Sequence, residues 1–179
     1  MIEVTLEKPQ DAAGVENLLD VCFGEDRCRK TSYRFRDGVP AVADLCYVAR
    51  DASGEVVGTL RFWPVQIGTD AAPALLLGPL AVSPDLRKSG LGALLMEASL
   101  ARACELGHGI IVLVSDLAEF YGKFGFRPAA PTGIQMPGEK LDRLYVLSLK
   151  PGALTGVEGL ILPFPQAVAA QAAAIPAAA

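Results

Sequence analysis

The sequence predicts an α/β fold with a central mixed sheet of six to seven mostly antiparallel strands, flanked by helices. Three features predict it. Residues 74–82, ALLLGPLAV, are apolar at nearly every position, as in a strand covered on both faces. Residues 92–107, GALLMEASLARACELG, put Met96, Leu100 and Ala103 on one helical face, with Leu95 and Leu106 beside them and Glu97, Arg102 and Glu105 opposite. Residues 109–114, GIIVLV, form a short β-branched run. Strand, helix and strand in that order give parallel neighbours joined by a right-handed crossover. Turn signals elsewhere join strands as hairpins.

The other elements follow in order. Residues 2–7 alternate as a strand, and 11–23, DAAGVENLLDVCF, carry Val15, Leu18, Leu19, Cys22 and Phe23 at helical spacing behind Asp11 as N-cap. Residues 26–36 are a mixed polar stretch that allows a second helix. DLCYVARD, the Ser53-Gly54 turn and GEVVGTLRFWPVQIG read as a hairpin. In the next strand Pro79 has no N–H for a ladder, so that strand is expected to bulge or lose a partner there. Gly107 ends the long helix, SDLAEFYGKFGF (115–126) gives a short one capped by Ser115 or Asp116, and 134–149 read as a final hairpin around PGEK.

With 179 residues, the chain suits one domain, assigned to 1–149. Residues 150–179 form an Ala/Pro-rich extension, docked or loosely ordered, with too many prolines for a membrane span. A net charge of −4 argues against nucleic-acid and anionic-membrane partners. Cys22, Cys28, Cys46 and Cys104 form no CxxC pair, and the chain has one histidine, so no metal site is expected. Without a basic and then apolar leader, the expected compartment is the reducing cytoplasm.

Residues 83–92, SPDLRKSGLG, place two cations and two glycines between a buried strand and the long helix. Bare backbone, positive charge and a helix N-terminus together suit a phosphate. A Walker loop needs GxxxxGK[ST], which is absent, and a dinucleotide fingerprint needs a glycine where Leu95 stands. LAVSPDLRKSGLGALLM instead resembles the pyrophosphate loop of the GNAT superfamily of acyl-CoA-dependent N-acetyltransferases, with Arg87, Gly90 and Gly92 on its R/Q-x-x-G-x-G/A pattern. FYGKFGF, at 120–126, resembles the family's second landmark, and the element order is similar.

The resemblance implies a GNAT-like sheet with a V-shaped splay between the fourth and fifth strands, and acetyl-CoA as co-substrate. The pantetheine arm would pair with the backbone of Leu80, Ala81 and Val82 in the manner of an added strand. Arg87, Lys88, Ser89, Gly90, Leu91 and Gly92 would hold the diphosphate, and Tyr121 would be the acid that protonates the departing thiolate. The acceptor would be a primary amine of a small molecule or peptide, and a homodimer is compatible with the family. The family's glutamate on strand four or five is missing, which leaves Asp44, Glu55 or Asp116, acting through water, or an amine arriving neutral. That gap keeps a second function open, a degenerate acyl-CoA-binding module. Trp63 is assigned to packing at a strand end, with a place at the border of the acceptor pocket as the alternative, and His108 to a helix terminus; RKTSYRFRDG (29–38) is assigned to a solvated basic loop, the alternative being an acceptor wall in which Arg34 and Arg36 favour an acidic acceptor.

Overall fold

The computed structural model describes residues 2–164. In chain order it contains β1 (Glu3–Leu6), α1 (Ala12–Phe23), β2 (Tyr47–Arg50), β3 (Val56–Ile67), β4 (Ala72–Val82), α2 (Leu91–Glu105), β5 (Ile110–Val114), α3 (Ala118–Gly122), β6 (Arg127–Pro128), β7 (Ile134–Gln135), β8 (Leu144–Ser148) and β9 (Gly159–Pro163). The sheet runs β1-β2-β3-β4-β5-β8-β6, with β9 beside β3 and β7 beside β9. The pairs β4–β5 and β7–β9 are parallel and the rest antiparallel. Among the described residues nine strands take part, more than expected, because two two-residue strands and one from the C-terminal extension join the edges.

Alternation decides which face each side chain serves. Ile111 and Leu113 of β5, with Leu75 and Leu77 of β4, pack against Leu91, Leu95, Met96 and Ala103 of α2. Ile110, Val112, Ala74 and Leu76 point to the opposite face and join Phe35, Ile134 and Ile161. Val15, Leu18 and Leu19 of α1 cover Val48 and Ala81. With both faces covered, the central strands bury almost continuous apolar sequence.

Three local expectations change. Asp11 precedes α1 but does not cap it; its carboxylate accepts from Lys8 N at 2.7 Å and from Arg50 at 2.5 and 3.1 Å. Residues 25–29 and 31–35 form two 3-10 turns in place of a second helix. Residues 134–149 form no hairpin, since Ile134 and Gln135 pair with β9 while Leu144–Ser148 pair with β5 and β6. The sheet also continues past residue 149, where β9 sets Ile161 against Ile67. The remainder of the predicted extension, 165–179, lies outside the described residues.

Candidate active site

The parallel pair β4–β5 is joined only at Leu75↔Ile111 and Leu76↔Val112. Both strands continue beyond those pairs, to Val82 and Val114, and there they part. The cause lies in the sequence of β4. Leu60 pairs with Leu80 and Phe62 with Leu77, so Arg61 of β3 opposes both Gly78 and Pro79, a bulge of one extra residue. The bulge shifts the alternation: Leu75 and Leu77 face α2 before it, and Leu80 and Val82 after it. Gly78 has φ 124°, a conformation that disfavours a Cβ, and its carbonyl accepts a hydrogen bond from Trp63 Nε1 at 2.8 Å. Trp63 therefore does more than pack at a strand end: it satisfies a backbone group that the bulge leaves without a ladder partner.

Past the bulge, Ser83 N donates to Val57 O at 2.8 Å. Counting back by two along a strand, Ala81 also turns its peptide groups toward β3, while Leu80 and Val82 turn theirs toward the gap. The Val82 carbonyl there accepts only a weak contact from the Cys22 thiol at 3.4 Å.

The gap leads to the start of α2. Arg87, Lys88, Ser89 and Gly90 are exposed, and neither cation forms an ion pair among the described residues. Lys88 has φ 65° and Gly90 φ 89°. The N–H groups of Lys88, Gly90 and Gly92 meet no acceptor among the described residues, and that of Leu91 reaches only Ser89 Oγ at 3.3 Å. Space over Gly90 is open, with nothing within 4 Å of where a methyl group would sit, whereas at Gly92 that position faces Phe120 and Val82 at ordinary contact distances of 3.6 and 3.8 Å. Gly90 is thus the glycine that leaves open space, whereas a Cβ at Gly92 would be accommodated at ordinary contact. At the other end, Gly107 N to Cys104 O and His108 N to Ala103 O, both 3.0 Å, close the helix, which gives His108 the terminal role expected of it.

Between the parted strands lies a cleft of about 580 Å³. Leu80 and Pro79 of β4, Val114 at the end of β5, Ser115 after it, and Tyr121 of α3 line it. Ala81, Val82 and the 87–92 turn lie outside its lining. Tyr121 is 7 % exposed and packs edge-on to Phe120 and Phe126, with ring centres 5.0 and 5.9 Å away. Burial pushes its phenol up to about 12, against the opposing pull of a Ser115 hydrogen bond. Of the acids considered for proton removal, Asp44 and Glu55 do not reach the cleft. Asp116 does, but Arg143 holds it at 2.6 and 3.0 Å. Arg143 also holds Glu139 at 2.9 Å, a cleft carboxylate that sequence spacing gave no signal for, because it arrives from the 136–143 loop.

The segment 25–36 forms the cleft's outer wall. It is fixed by Arg27, 7 % exposed, which donates to Glu16 at 2.6 Å and Asp20 at 2.9 Å of α1. Glu16 also accepts from Arg61 of β3 at 2.9 Å, and Arg61 from there reaches Glu7 at 2.6 and 2.8 Å. Burial works against the Glu16 charge, but the hydrogen bonds from Arg61 and Arg27 prevail and lower its pKa. Arg36 was expected in solvent; it is instead packed against Tyr33 and Trp63, 4.4 and 5.8 Å from their ring centres.

The family model of the acetyltransferase (GNAT) domain matches residues 43–128, which run from just before β2 through the bulge, the glycine turn and α3. The N-acetyltransferase YhbS of Escherichia coli strain K12 is 32 % identical over 160 residues, covering 88 % of this chain and 93 % of that protein. The crystal structure of Escherichia coli YhbS in complex with CoA superimposes with a TM-score of 0.79 at 30 % identity, covering 93 % of this chain and 92 % of that one. A GNAT family acetyltransferase from Brucella melitensis, solved with acetyl-CoA, has the same fold, with a TM-score of 0.69 at 22 % identity over 93 % and 97 % of the two chains. Sheet, cleft and relatives define an acyltransferase. The chain belongs to the GNAT family of N-acetyltransferases. Among the described residues no helix is long and apolar enough to cross a membrane.

Proposed function

We propose that this protein transfers an acetyl group from acetyl-CoA to a primary amine that attacks the thioester directly. The observation that carries the proposal is the juxtaposition of two unmet sets of backbone donors. One is at the start of α2, at Lys88, Gly90 and Gly92; the other is along the freed edge of β4, at Leu80 and Val82. A diphosphate fits the first set, where the helix dipole, Arg87 and Lys88 add positive potential and Ser89 and Leu91 complete the turn. An extended amide-bearing arm fits the second in the manner of an added strand, with Ala81 between the two pairing positions. Its thioester end would then lie in the cleft beside Tyr121.

The protein's own groups suit the chemistry of acyl transfer. An N–H on the freed edge at Leu80 or Val82 can meet the oxyanion that forms as nitrogen attacks carbon. As the carbon–sulfur bond breaks, Tyr121 gives its proton to sulfur. Full transfer from a phenol at about 12 to a thiolate whose thiol titrates near 8.5 is uphill by about 5 kcal/mol at 1.36 kcal/mol per unit. The proton therefore crosses late, after charge has developed on sulfur. The same high pKa makes the resulting phenolate a strong base, able to take the proton that the new ammonium nitrogen must lose. Tyr121 is restored, and no strand-borne glutamate is required.

Thiol release from acetyl-CoA, followed across a panel of amines, tests this reading. Turnover with at least one amine class is the expected result. Tight acetyl-CoA binding with no thiol release for any amine would point to the binding-module alternative.

A further inference from the structure

The other partly buried arginines of the described residues are matched by acids. Arg27 has Glu16 and Asp20, Arg61 has Glu7 and Glu16, Arg50 has Asp11, and Arg143 has Asp116 and Glu139. Arg36 has none among the described residues. Its Nε and Nη1 are shut off from solvent and bond to nothing there. The guanidinium is held by the Tyr33 and Trp63 rings, and its Nη2 lies 3.4 Å from the position a Cβ would take on Gly78, at the floor of the cleft. It also lines a second hollow of about 400 Å³ behind Trp63, whose Asp37 makes no ion pair with it. Burial lowers the Arg36 pKa to about 10, so the group stays charged at neutral pH.

A buried cation without a partner is costly, and a fold that supplies carboxylates to its neighbours leaves this one bare. Aromatic packing fixes the plane of the fork and leaves Nε and Nη1 without partners, a preorganised arrangement for oxyanion recognition. We propose that the acceptor amine carries an oxyanion, a carboxylate or a phosphate, that seats on Arg36 while the amine faces the Tyr121 side of the cleft. The proposal rests on the acetyltransferase reading for the identity of the ligand, but the anion seat itself does not depend on turnover. Polycationic amines are disfavoured as acceptors, since Arg27, Arg29, Lys30, Arg36 and Arg143 outnumber Asp116 and Glu139 around the cleft.

Trp63 is the sole tryptophan of the chain and touches Arg36, so its fluorescence reports on the seat. With the CoA-loaded protein, N-acetylalanine and N-acetyl-aminomethylphosphonate are titrated beside the neutral N-acetylalaninamide, for wild type, Arg36→Gln and Arg36→Lys. The proposal expects a saturable signal for an anion, at least about tenfold weaker for the amide. It also expects loss of that contrast in Arg36→Gln and partial return in Arg36→Lys, which keeps charge but not the fork. Equal responses to anions and amide, including none to either, would overturn it, as would an unchanged contrast in Arg36→Gln. Thermal melting shows whether Arg36→Gln folds; if it does not, the wild-type contrast and Arg36→Lys decide. Anion binding without thiol release from any amine would leave the seat standing and remove the transferase reading.

Discussion

Tyr121 combines two demands that pull in opposite directions. Packing against Phe120 and Phe126 places the ring, and the same burial raises the phenol to about 12. In Tyr121→Phe the rings still pack, so acetyl-CoA affinity should hold within about twofold while kcat falls by about 10². A parallel loss of affinity would mean that the residue only packs. The raised pKa also fixes a pH signature. Because the phenol stays protonated up to about 12, kcat/KM for a neutral-bodied amine should rise with amine deprotonation and show no Tyr121 limb below about pH 11, whereas an ordinary tyrosine would impose one near 10. Lys88 is the other informative residue. A lysine at φ 65° costs about 1 kcal/mol in backbone strain, and its N–H is one of those in the turn that meet no acceptor among the described residues.

At the level of elements, the bulge in β4 was legible and its consequences largely so. Pro79 in an otherwise buried strand announces a lost ladder bond, and the SPDLRKSGLG turn with FYGKFGF points to the use proposed for the gap. What stayed hidden depends on contacts between distant segments. Nothing in the spacing of 26–36 tells that Arg27 will be gripped by α1 or that Arg36 will be stacked between rings; a basic, weakly periodic string looks solvated until its partners are known. Glu139 was invisible for the same reason. The different role of Asp11 has an energetic cause: Pro9 and position favour a cap, but Arg50 across the sheet offers a charge-assisted pair. Arg50's hydrogen bond is the main cause of the lowered Asp11 pKa. The unfolded carboxylate titrates near 3.9, so this pair stabilises fully above that value and is lost as pH falls through the lower folded one. Asp11→Asn should therefore cost about 2 kcal/mol at pH 7, read by urea denaturation, and the gap to wild type should close as pH falls below the ordinary carboxylate range. A gap unchanged with pH would show that the charge is not what holds the pair.

For the whole molecule, the sequence boundary at residue 149 is the expectation most in need of a test. β9 closes the edge of β3 and buries Ile161 against Ile67 and Ile134. A chain ending after Leu149 should lose about 3 kcal/mol or more, because Ile134 and Ile67 would face water; unchanged stability would restore the shorter domain. The larger claim concerns how the split sheet and the helix start act together. Amide NMR of the full chain titrated with acetyl-CoA addresses that directly. The account predicts that Lys88, Gly90 and Gly92 shift together with Leu80 and Val82, in one saturable step, while Ala81 moves least of the three β4 amides. Saturable binding with these amides still, and shifts confined elsewhere, would contradict it.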